Sequence, residues 1–98
     1  MNLPIVLRAE AEAEFDEAFD WYEAQRAGLG VAFSGEVQQV CDRISANPRM
    51  HGIALADIRK AVVRRFPYCV FDRPHADRVE VIAVFHTSRD PSIWQGRA

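Results

Sequence analysis

The side chains best equipped for chemistry lie in the second half of the chain, and most of them are arginines. Arg59 and Lys60 open an apolar, β-branched segment, and Arg64 and Arg65 close it. Arg89 follows the last such segment, and Arg97 lies in the tail. A guanidinium is a planar fork of donors that matches phosphate and carboxylate oxygens in pairs. His86 stands three residues before Arg89, and histidine is the side chain whose ordinary titration range suits proton transfer near neutral pH. Arg59, His86 and Arg89 would therefore suit phosphodiester cleavage, with arginine stabilising charge that develops on a phosphate and histidine acting as acid or base. From residue types alone the same residues better suit a structural role, as charged edges and tips that keep a sheet soluble.

Other chemistries find no foothold. His51, His75, His86, Cys41 and Cys69 do not fall at metal-ligand spacings, so no metal is expected. Gly28-Leu29-Gly30 follows a helical pattern rather than a strand, which makes it a turn and not a phosphate loop. No Gly-x-Ser-x-Gly element is present, and no cofactor is expected. Glu10, Glu12, Glu14, Asp16, Glu17, Asp20 and Glu23 crowd one helical segment and read as its solvated face.

Hydrophobic periodicity supplies the elements that must position these groups. Residues 3–7 form a short apolar run with a proline near its start, as an edge strand allows. Residues 9–27 carry Phe15, Ala18, Phe19 and Tyr22 at helical spacing, and residues 31–46 carry Phe33, Val37, Val40, Cys41 and Ile44. Joined by Gly28-Leu29-Gly30, these predict a helical hairpin with its two stripes facing one core. Cys41 falls within that stripe and reads as a small buried apolar residue. Asn47-Pro48 stops the second helix, and residues 49–56 read as a loop. Strands are predicted over 58–65, 68–72 and 78–86, with a turn at 73–77. The last strand has Val79, Val81, Ala83 and Phe85 on one face and Ile82 and Val84 on the other, which places it centrally. Asp90-Pro91 predicts a short helical turn over 92–95 carrying Trp94.

The order is β-α-α-β-β-β: an α+β fold with an N-terminal strand and a helical hairpin on one face of an antiparallel sheet. The 98 residues fit a single domain, 1–98. The predicted core is Phe15, Phe19, Phe33, Val37, Ile44, Val81 and Ala83. The sheet's other face, with its arginines and no helix left to cover it, is the expected docking surface.

Composition narrows the setting. The chain is 49% hydrophobic and 27% charged with 10% aromatics, which excludes a disordered chain. No apolar run reaches the ~18 residues of a membrane span, and the first eight residues lack the pattern of a secretory signal. The expectation is a cytoplasmic protein with two free thiols and no membrane partner. Its net charge of −2 conceals a division. Residues 1–48 hold three bases against nine acids, a net −6, whereas residues 49–98 hold nine bases against five acids, a net +4. The two halves can face different partners.

An ordered set of short pieces resembles the RelE/ParE superfamily of toxins from bacterial type II toxin–antitoxin modules, most of all the ParE side, often called plasmid stabilisation toxins. The pieces are Trp21-Tyr22-Glu23, Gly28-Leu29-Gly30, Phe33, Asn47-Pro48, Ile58-Arg59 and Phe66-Pro67-Tyr68. The ending then runs Val81-Ile82-Ala83-Val84-Phe85-His86 with Arg89-Asp90-Pro91 and Trp94. The resemblance implies a cognate antitoxin whose disordered C-terminal segment wraps the toxin and folds on it. It also implies one of two activities, poisoning DNA gyrase without nuclease chemistry in ParE-type members or cutting mRNA on the ribosome in RelE-type members. Against the RelE-type pattern, Tyr68 and Thr87 stand where catalytic arginines are expected. Ala61 replaces a lysine, with Arg59 a surviving base nearby, and Ile93 or Trp94 replaces a tyrosine. These departures and a pI near 5.9 favour the gyrase reading. Arg59, Arg64, Arg65, Tyr68, Arg89 and Trp94 are the expected partner-binding residues, and Arg59, His86 and Arg89 the catalytic ones if the chain is a nuclease.

Overall fold

A computed structural model describes residues 2–98. It contains β1 (Ile5–Leu7), α1 (Ala9–Gln25), α2 (Leu29–Ala46), β2 (Ile53–Leu55), β3 (Ile58–Val62), β4 (Tyr68–Pro74), β5 (Val79–His86) and α3 (Ser92–Gln95). The strands form one sheet in the order β1-β5-β4-β3-β2. The α+β class and the helical hairpin follow the sequence pattern, and the sheet differs in three respects.

First, it is mixed. β1 runs parallel to β5, Ile5 opposite Val79 and Leu7 opposite Val81, while the other pairs are antiparallel. Second, the expected loop over 49–56 contains strand β2, whose three residues are all exposed and which exists only by pairing with β3. Third, β5 carries a bulge. Phe71 lies opposite Ala83 but Asp72 opposite Val81, so Ile82 is an extra residue and the strand's faces exchange there. Val79, Val81 and Val84 consequently join the helix-side core, and Ile82, Ala83 and Phe85 join the opposite one. This corrects the expected grouping of Ala83 and Phe85 with Val79 and Val81.

Close approach of α1 and α2 sets the hairpin geometry. Gly28 turns the chain at φ +89, a conformation that suits glycine. A Cβ on Gly30 would lie 2.6 Å from the Phe19 carbonyl oxygen, so only glycine lets the helices meet here. α2 has no capping side chain at its own N-cap. Glu23 of α1 supplies one, accepting hydrogen bonds from the Gly28 N–H at 3.2 Å and the Val31 N–H at 3.1 Å. Those N–H groups hold its carboxyl below the usual carboxylate range.

The helix-side core centres on Phe33, which is fully buried among Phe15, Tyr22, Phe66 and Tyr68 with ring centroids 5.0–5.7 Å away. Val37, Ile44, Val81 and Ala83 are buried as expected, while Phe15 and Phe19 are half-buried at the margin. Cys41 is buried in the same stripe, and burial pushes its thiol up to about 11, far from a nucleophile's range. The opposite face is not bare. Ile58, Cys69, Phe71, Ile82, Ala83, Phe85 and Trp94 form a second core there. Trp94 of α3 closes it by stacking on Phe71, 3.9 Å between centroids and 17° between planes.

Candidate functional site

The site grows from the unfinished edge of β5. β1 covers only Val79–Val81, and the Arg8 N–H adds one bond to the Val81 carbonyl at 3.0 Å. Beyond that point two side chains satisfy the strand. Glu14 accepts from the Val84 N–H at 3.2 Å, and Arg97 donates to the Ile82 carbonyl at 3.2 Å. Buried backbone groups must be paired, and this pair does what a neighbouring strand would do.

Glu14 and Arg97 also bind each other through two parallel bonds of 3.0 Å, and Arg89 donates to the same carboxylate at 3.0 Å. One carboxylate, 8% exposed, thus lies between two guanidiniums. Arg8 donates to the Arg97 carbonyl at 2.9 Å and fastens the tail from the other side. Glu14 is therefore not part of a solvated helical face, as its six acidic neighbours in sequence suggested. It shares the buried side of α1 with Ala11, Ala18 and Tyr22, and that spacing was the signal available in the sequence: a carboxylate on a stripe of small residues. Arg97 was visible only as a tail residue.

Two clefts flank this network and share His86 and Arg89. The first, about 340 Å³, lies between α1 and the ends of β4 and β5. Its walls include Glu17, Trp21, Tyr68 and Val84. Trp21 is 60% exposed, and Tyr68 meets His86 edge to face at 5.1 Å. Burial raises the Tyr68 hydroxyl above its ordinary range, so it stays protonated at neutral pH. His86 Nδ1 accepts the Ser88 backbone N–H at 3.0 Å, with the Ser88 hydroxyl at 2.8 Å. A backbone donor needs a lone pair at Nδ1, which places the ring proton on Nε2. The second cleft, about 220 Å³, lies on the opposite face, where the Arg89 guanidinium stands 4.6 Å over the Phe85 ring.

The expected nuclease residues do not converge. Arg59 pairs in register with Asp72, four residues along β4 from Tyr68, the partner of His86. At about 3.3 Å per residue, Arg59 is displaced along the sheet by roughly 13 Å. Its guanidinium holds the segment before β2, donating to the His51 carbonyl at 2.6 Å and the Arg49 carbonyl at 3.3 Å. His86 and Arg89 do come together, with Tyr68 beside them. Arg64 and Arg65 lie in a turn rather than at a strand end, with Arg65 at φ 71 and 3.8 Å from Glu36. Trp94, at 5% exposure, serves mainly as core and shows only an edge to the second cleft. Among the described residues no cluster of three or more histidine, cysteine or acidic side chains could hold a metal ion. Nor is any helix long and apolar enough to cross a membrane.

The family model described as the ParE toxin of the type II toxin–antitoxin system parDE matches residues 5–91. A solved structure of the chromosomal ParDE TA system from P. aeruginosa shares the fold with a TM-score of 0.76. The match covers 88% of this chain and 97% of that one at 10% identity. No curated protein matches the sequence.

Proposed function

This chain belongs to the ParE toxin family of type II toxin–antitoxin systems, and from that premise we propose that it is neutralised by a cognate antitoxin and acts by inhibiting DNA gyrase. The observation that carries the reading is the separation of Arg59 from His86 and Arg89, the other two nuclease candidates. Arg59 is occupied roughly 13 Å away along the sheet, the His86 ring is held by Ser88, and Arg89 is paired with Glu14. A protein that poisons another enzyme needs a complementary surface and no proton-transfer pair. Purified toxin added to gyrase and relaxed plasmid should abolish supercoiling in proportion to dose. Full supercoiling at saturating toxin would refute the gyrase assignment.

The juxtaposition of His86 with Arg89 favours one second reading, a ribosome-dependent mRNA endonuclease. Primer extension on translated mRNA tests it, because cuts at codon positions that vanish in His86→Ala are required. The antitoxin half of the proposal has its own check. A neighbouring reading frame whose product co-purifies with this chain and restores growth supports it, and a toxin that needs no such partner contradicts it.

A further inference from the structure

We propose that Arg59 is a two-position clasp at the edge of the sheet: it holds the segment before β2 while the Asp72 carboxyl is protonated, and turns onto that carboxyl once it ionises, releasing β2. Arg59 and Asp72 are partners in the β3–β4 register, so their side chains leave the same face about 5 Å apart. That face is the helix side, since Asp72 also pairs with Val81, and Ala61 of the helix-side core follows Arg59 by two residues. The Asp72 side chain is buried, and both of its oxygens lack a partner among the described residues. The Arg59 Nε is buried and unpartnered as well. The guanidinium instead directs one nitrogen at two neutral acceptors, the His51 carbonyl at 2.6 Å and the Arg49 carbonyl at 3.3 Å.

Charge sets the sign of this competition. A neutral carboxyl offers Arg59 nothing better than a carbonyl. Loss of the Asp72 proton to solvent leaves a buried anion without a hydrogen bond, which is costly. A bond from a guanidinium to that carboxylate is also stronger than one to a neutral oxygen. The groups facing Asp72 add no rival: β3 presents Arg59, α2 presents Cys41 and β5 presents Val81. The Cys41 thiol stays protonated, because burial, helped by Asp42 and Asp72, pushes it up to about 11. Burial raises the Asp72 carboxyl to about 7 against the pull of Arg59, so the exchange falls near neutral pH. His51, on the other side of the clasp, is held below its ordinary range by burial and by Arg43, so it is already neutral over most of that interval.

β2 is the element that such an exchange frees. Its three residues are exposed, its register slips between Ile53 and Leu55, and it pairs only with β3. The Lys60 N–H bonds the Gly52 carbonyl at 3.1 Å, next to the His51 carbonyl that Arg59 holds. Release moves the open edge of the sheet from β2 to β3, and with it the row of backbone groups that a further strand can pair with. The clasp is independent of the gyrase reading.

Amide exchange on the full chain tests the clasp between about pH 5.5 and pH 8, with each rate corrected for the intrinsic effect of pH. Protection at Lys60 should fall about tenfold relative to Val63, whose N–H bonds the Tyr68 carbonyl and serves as the reference. The Asp72 carboxyl carbon and the Arg59 Nε–H should titrate in NMR with one midpoint. Asp72→Asn should abolish the fall, and His51→Gln should preserve it. An equal fall in Asp72→Asn, a parallel fall at Lys60 and Val63, or loss of the fall in His51→Gln would overturn the proposal. So would an Arg59 Nε–H signal that does not follow Asp72.

Discussion

The two faces of the sheet are built on different principles. On the helix side, α1 and α2 seal a core of interlocking aromatic rings around Phe33, and the cleft at its end mixes acids with a histidine and an arginine. On the other side a smaller apolar cluster depends on one tryptophan from a four-residue helix, and the groove beside it carries cations without acids. The first face spends its side chains on holding the fold. The second is closed by a tail that is itself held by one buried carboxylate, and it keeps a free lysine and exposed apolar surface at its margin.

Phe33→Ala should produce the largest loss, about 3–5 kcal/mol by urea denaturation, because it removes the ring that four other aromatics touch. That is a large share of the 5–15 kcal/mol typical of a domain. A near-neutral effect would show that the helix-side core is not the main source of stability.

Asp72 tests the same interior through pH. It is 1% exposed, its carboxylate oxygens have no partner, and burial raises it to about 7 although Arg59 pulls it down. The folded value lies above the unfolded one, so stability falls as pH rises between about 4 and 7, and the full penalty is present above that range. Asp72→Asn should therefore stabilise the protein at pH 8, by up to about 4 kcal/mol, with the gain fading towards pH 4. A gain that is independent of pH would contradict this environment for Asp72.

Glu14→Gln attacks the link between the faces. Two arginines lose their shared counter-charge, and the one remaining amide oxygen cannot serve both guanidiniums and the Val84 N–H, at a cost of about 3 kcal/mol, the low end for buried pairs because Arg89 is half-exposed. Amide exchange should rise at Ile82–Phe85 and in the tail, with little change in α2. Arg65→Ala should do least. Its ion pair with Glu36 is 3.8 Å long and lies at the surface, so a change below about 1 kcal/mol is expected in the same denaturation assay.

These differences also explain what the sequence disclosed. Phe33, Val37, Val40 and Ile44 repeat at helical spacing, and local pattern suffices to place α2. Ile53-Ala54-Leu55 has no such pattern: it is short, wholly exposed and a strand only through β3. The β5 bulge was hidden because Val81 to Phe85 is an unbroken apolar run, so a slip of one residue there leaves no trace in the alternation. The parallel pairing of β1 depends on where the helical hairpin returns the chain, a long-range matter. Of the expected site residues, His86, Arg89 and Tyr68 do gather: Tyr68 and His86 pair at the matched ends of adjacent strands, and Arg89 follows in the turn after β5. Glu14 escaped because seven acids in one helix look alike until two distant arginines select one of them.

The proposal that toxicity acts through gyrase, and not through a nuclease, is tested most directly in cells. Induce the toxin without antitoxin, then measure gyrase–DNA covalent complexes and mRNA 5′ ends in the same culture. The account predicts that complexes accumulate before growth stops while the mRNA ends stay unchanged. New codon-positioned mRNA ends without gyrase–DNA complexes would contradict it.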